Sequence, residues 1–376
     1  MKSAITSTLL TFATGAVAGF EALEHLGANS PWFPGRCQGP DVNRISSDVP
    51  AKCTVDQAFY VIRHGSRYPD PGAYKEWTDL YKKLQSANYT ARGDLSFMRS
   101  WKPVLGYPGQ QVAMLSPGGY RELYTLGTEL RFRYPEFYEY GQPFLLWAND
   151  YQRTIDSARL FARGFLGPNS SLADINVITS SQSSAVGNSL ATSDSCPSFK
   201  DTSGSGYTQA WDAEYLPRVI QRLNKLIDGG FTLNETDVPK LPYLCGFETQ
   251  ITGRRSPWCN VFEEREILDY EYRQDLRYYY GTGPGAGNNA SVQLPILQGI
   301  VDVLSRGPGV TAKRANGSES SLPSLLVAFT HDNQINELAS IIGVFDKQSP
   351  LSTTKRDNNR ASTVFTHFWQ DTDAMA

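Results

Sequence analysis

Four histidines are all that this chain of 376 residues carries. Chemistry that needs an imidazole has few places to sit. Cysteine is sparse too, at five, and no Cys-x-x-Cys pair occurs. No His-x-x-x-His spacing occurs either, so nothing in the spacing suggests zinc. No sign of charge dominates: the formal net charge is −3, which provides no basic field for nucleic acid. A serine hydrolase is disfavoured, because no Gly-x-Ser-x-Gly string is present. Long apolar runs are missing beyond the N-terminus, so no membrane span is expected in the mature protein.

Aromatic side chains are plentiful, at 12% of the residues. A chain of this length supports one large core or two joined ones. The first eighteen residues read as a signal peptide. Lys2 supplies the positive flank, Ala4 to Ala18 the apolar stretch, and Ala16-Val17-Ala18 the cleavage site. Five sequons follow, at Asn88, Asn169, Asn234, Asn289 and Asn316. Together they predict a secreted glycoprotein, extracellular or held in a cell wall. In that oxidising setting, Cys245 and Cys259 are the expected disulfide, since they lie close together around a turn-rich stretch. Cys37 and Cys53 are the other candidate pair, and the odd count leaves at least one thiol without an internal partner.

The chain is organised around residues 58 to 69. An apolar run from Ala58 to Ile62 reads as a buried strand, and it ends in Arg63-His64-Gly65-Ser66-Arg67-Tyr68-Pro69. Guanidiniums hold phosphate oxygens bidentately and stay charged. A histidine can attack phosphorus and later release it. Gly65 lets the backbone turn tightly.

Two further strands end in polar clusters. Phe144 to Ala148 gives way to Asn149-Asp150, with Arg153 opening the next helix. Leu325 to Phe329 gives way to Thr330-His331-Asp332-Asn333. In an open α/β sheet such strand-to-helix junctions are where ligands bind. Ser116-Pro117 starts a helix, and Ile175 to Ile178 forms a further strand. Residues 211 to 280 read as helical, with the Tyr278-Tyr279-Tyr280 run taken as packing and the glycines at 281 to 287 as a linker. His25 and His367 fit no motif.

The string Arg63 to Pro69 resembles the signature of the histidine acid phosphatases, which include fungal phytases. His331-Asp332 resembles that family's second catalytic motif, and Arg153 to Gly167 its second phosphate-binding segment. The resemblance implies an α/β fold with a mixed central sheet flanked by helices and an inserted, mostly helical smaller domain. It divides the mature chain into an α/β part (19–72, 140–205 and 290–376) and a helical cap (73–139 and 206–289). It also implies a metal-free hydrolysis of small phosphomonoesters. His64 would be the nucleophile, and Asp332 a proton donor that starts protonated. Arg63, Arg67, Arg153 and His331 would bind the phosphate. Phytate is one expected substrate. Against a dedicated phytase, the flank Asp70 to Glu76 has only Lys75 as a base. The likeness is expected to run from Cys53 to Thr354 and then to fail, as in a C-terminally truncated member with Cys53 and Cys196 as orphans. A weakly active glycoprotein of the same fold is the alternative.

Overall fold

The computed structural model describes residues 20–33, 49–179, 190–313, 317–345 and 348–358. The expected signal segment, Cys37, Asn316 and the tail with His367 lie outside them. The first half of the chain builds strand β1 (Ala58–Arg63), helix α1 (Pro71–Ser86), β2 (Tyr89–Ala91), α2 (Pro108–Gln111), α3 (Pro117–Arg133), β3 (Phe144–Asn149), α4 (Gln152–Leu166) and β4 (Ala173–Ile178). Then come α5 (Thr192–Ser195), α6 (Ser205–Asn224), β5 (Ile227–Gly229), α7 (Lys240–Thr252) and α8 (Glu264–Gly281). The chain returns through α9 (Leu294–Arg306), β6 (Thr311–Lys313), β7 (Glu319–Ser321), β8 (Leu325–Thr330) and α10 (Asp332–Ile341).

Four strands form the main sheet, in the order β1-β8-β3-β4. Every pairing among them is parallel, and no antiparallel partner that would make the sheet mixed lies among the described residues. All six residues of β8 are buried, as its inner position requires. Parallel strands end together, so the segments after Arg63, Asn149 and Thr330 emerge at one edge of the sheet.

Side-chain chemistry sets the helix starts. Ser116 caps α3 by accepting the Gly119 N–H at 3.3 Å, with Pro117 in the first turn. Asp70 caps α1 by accepting the Ala73 N–H at 2.9 Å. The expected helix over 211–280 is broken: β5 pairs antiparallel with β2, and Gly229 takes a φ of +110° there. Where a linker was expected, 3-10 turns span Pro284–Gln293, kinked at Gly287, whose φ is +64°.

Two large hydrophobic clusters hold the molecule. One packs the sheet with α3 and α4, around Phe144, Phe161, Phe165 and Phe329. The other packs α1 with α6, α7 and α8, around Trp77, Trp258 and Tyr272. Leu123, Leu126 and Leu130 of α3 belong to the sheet cluster, so packing draws the division before residue 139. Ala22 and Leu26, expected in the α/β part, pack in the helical cluster. Cys245 and Cys259 are bonded within that cluster, whereas Cys53 and Cys196 carry free thiols.

Candidate active site

The loop after β1 is clamped from three sides. Glu122 of α3 accepts from the Ser66 N–H at 2.6 Å, the Ser66 hydroxyl at 2.7 Å and the Trp32 N–H at 3.1 Å. Gln250 of α7 donates to the Arg67 carbonyl at 2.6 Å and accepts from the Ser116 hydroxyl. Ser157 of α4 accepts the Gly65 N–H at 3.1 Å. Helix and loop touch backbone to backbone: a Cβ on Gly119 would stand 2.1 Å from the Ser66 carbonyl oxygen.

His64 is buried, and its Nδ1 lies 2.8 Å from the Gly65 carbonyl oxygen. A carbonyl only accepts, so Nδ1 carries the proton and Nε2 keeps its lone pair. Burial, with Arg63 and Arg153 close by, holds His64 well below its usual pKa and therefore neutral. His331 stands edge-on to it, with ring centroids 5.4 Å apart. One His331 nitrogen, Nδ1, accepts from Arg153 at 3.2 Å, and the other donates to Asn149 Oδ1 at 3.1 Å. Burial and Arg153 press the His331 pKa down to about 3, so it too is neutral.

The cations gather around these rings. Arg63 lies 3.4 Å from Asp332 Oδ2 and Arg67 3.5 Å from Asp70. Arg153 rests on the Tyr151 ring at 4.6 Å. Burial lowers its pKa only to about 10, so it stays charged in acid. The Nε atoms of Arg63 and Arg153 and the Nδ2 of Asn149 are buried without a partner among the described residues. Unpaired buried donors are rare, and three at one edge supply the hydrogen bonds an anion needs.

Asp332 departs from expectation. Burial alone would keep its proton, but Arg63, the Tyr278 hydroxyl and Arg277 overrule burial and hold the carboxyl ionised. With these neighbours it does not start protonated. His331 occupies the N-cap position of α10, and Asp332 is the first helical residue.

The comparisons with known proteins fit this arrangement. Residues 54–373 match the histidine phosphatase superfamily, branch 2. The chain belongs to that superfamily. Its branch-2 likeness continues past Thr354, where it was expected to stop. The chain is 28% identical over 372 residues to phytase A of Aspergillus awamori, covering 93% of this chain and 77% of that protein. It is 27% identical over 373 residues to the thiamine-repressible acid phosphatase pho4 of Schizosaccharomyces pombe, at 93% and 76% coverage. The crystal structure of the phytase from D. castellii superposes with a TM-score of 0.79 at 24% identity, covering 91% of this chain and 73% of that one. That last likeness speaks for the fold alone.

The histidine-phosphatase motifs read from the sequence thus lie together: Arg63, His64, Arg67, Arg153, His331 and Asp332 share one edge of the sheet. Asn149, Glu122, Gln250 and Tyr278 join them without having been foreseen. Asn149 ends its strand where Arg63 ends another, and that placement was the one available signal.

Proposed function

We propose that this protein is a secreted acid phosphatase that hydrolyses phosphomonoesters through a phosphohistidine. The observation that carries the reading is His64, neutral with a free Nε2, set among Arg63, Arg67 and Arg153. Its lone pair attacks phosphorus in line, and the P–O bond to the alcohol breaks. The alcohol leaves with a proton from Asp332. Water then attacks phosphorus, the P–N bond breaks, and the water's proton returns to Asp332. The arginines neutralise the charge spread over the phosphoryl oxygens.

The ionised Asp332 limits where the proton comes from. A phosphomonoester keeps one proton below about pH 6. Bound as a monoanion, it brings that proton in and draws Arg63 away from Asp332. The carboxyl can then protonate and act as acid, a step usually worth ~10²–10⁴-fold. This is a physical source for an acid optimum.

Simple esters suit the flank better than phytate does. Lys75 is bonded to Asp79 at 2.5 Å, and Asp70 caps α1 while facing Arg67. Further phosphates would meet paired charges there. For secretion, the reading rests on residues 1–18 and the sequons. Asn88 is exposed and suits a glycan, whereas the Asn169 amide nitrogen is buried and does not.

The test is turnover of nitrophenyl phosphate, glycerol phosphate and phytate across acidic pH, with Asp332→Asn alongside. The variant should lose far more on glycerol phosphate than on nitrophenyl phosphate, whose leaving group needs little acid help. Equal losses on both would remove Asp332 from the acid role.

A further inference from the structure

The helical layer enters the reacting edge through α8. Tyr278 is buried, and its hydroxyl donates to Asp332 Oδ2 at 2.7 Å. Arg63 approaches the same oxygen at 3.4 Å, while among the described residues Oδ1 accepts only the Asn333 N–H, at 3.0 Å. The oxygens are therefore unequal: Oδ2 is taken, and Oδ1 is the one left to carry a proton. Behind the phenol ring, the Arg277 guanidinium lies 4.5 Å from its centroid. The two helices are also tied together. Asn336 of α10 donates to the Tyr278 carbonyl at 3.0 Å and to the Thr282 hydroxyl at 2.9 Å. Phenol and carboxylate are thus held at a fixed separation by more than their own bond.

We propose that Tyr278 is a positioning residue of the phosphatase reaction: from α8 it fixes the orientation of Asp332 and how readily that acid gives up its proton, with Arg277 steadying the ring. This rests on the reading of Asp332 as the acid. The groups facing that carboxyl are Arg63 at the end of β1 and His64 after it, Arg153 from α4, Arg277 and Tyr278 from α8, and His331 beside it. Of the uncharged ones, Tyr278 alone is hydrogen-bonded to Oδ2 among the described residues. A donor to a carboxylate stabilises the ionised form, so removing it raises the pKa of the acid. For one hydrogen bond to a charged group the shift is about one pH unit.

The experiment is kcat against pH for Tyr278→Phe and the unaltered chain, on glycerol phosphate and nitrophenyl phosphate. The variant's basic limb on glycerol phosphate should move up by about one pH unit. At the optimum its turnover of that ester should fall about tenfold or more, with a much smaller fall on nitrophenyl phosphate. Arg277→Gln, which leaves the hydroxyl in place, should shift the limb the same way by less, and it carries the test if Tyr278→Phe does not fold. An unmoved limb, or equal losses on both esters, overturns the assignment to Tyr278 while the phosphatase reading stands. An unaltered chain that forms no phosphohistidine overturns both.

Discussion

Gly119→Ala probes the closest backbone contact beneath the nucleophile. The added methyl would stand 2.1 Å from the Ser66 carbonyl oxygen and 2.9 Å from its nitrogen, where ordinary contact begins near 3.4 Å. Neither atom belongs to a side chain that could swing aside. Ser66 is also held by Glu122 and by Ser116 at 3.0 Å, so the strain cannot be shed locally. Helix α3 and the loop must separate by roughly 1 Å, which carries His64 and Arg67 off their positions and costs about 10²-fold in a well-placed site. Overpacking of this sort also destabilises by about 1–3 kcal/mol. The assay is kcat/KM on nitrophenyl phosphate, paired with a urea melt to separate misplacement from unfolding. Full activity in a folded Gly119→Ala protein would refute the claim that this contact sets the loop.

Two carboxyls, half-buried Glu122 and buried Glu337, give further outcomes. Glu122→Ala strands the Ser66 N–H, the Ser66 hydroxyl and the Trp32 N–H, and should cost about 1–3 kcal/mol in a denaturant melt. Glu337 is fully buried against Gln293, and burial pushes its pKa up to about 8 from about 4.5. Between those values the unfolded chain ionises while the folded one keeps the proton. Stability is therefore complete at low pH and falls by about 1.4 kcal/mol per pH unit through that window. Glu337→Gln should flatten that part of the stability–pH curve, and an unchanged slope would show that Glu337 ionises normally.

Much of the site was legible because its chemistry sits at strand ends. Apolar runs closing on Arg63-His64 and His331-Asp332 give buried strands and the edge where those residues meet, whereas the all-parallel pairing of the sheet was not foreseen. Tyr278 was not legible, for a geometric reason. In the run Tyr278-Tyr279-Tyr280 successive side chains point about 100° apart around the helix, so few can face the site. Which one does so depends on how α8 packs on α10. The phase of a helix against a distant neighbour is not written in its own residues. Glu122 and Gln250 escaped notice likewise, since each acts on a loop far from it in sequence. The charge on Asp332 could not be foreseen, because Arg277 and Tyr278, two of the groups that face it, come from α8. The helical break at Asp228-Gly229-Gly230 was visible as residues, yet its pairing with Tyr89–Ala91 was not.

The central claim is that His64 takes the phosphoryl group. Rapid alkaline quench of the full-length protein, after reaction with radiolabelled ester at a pH near its optimum, addresses it directly. The account predicts a stoichiometric label that is acid-labile and alkali-stable, that maps to the peptide bearing His64, and that is absent from His64→Ala. A label stable to acid, or turnover that survives in His64→Ala, would contradict it.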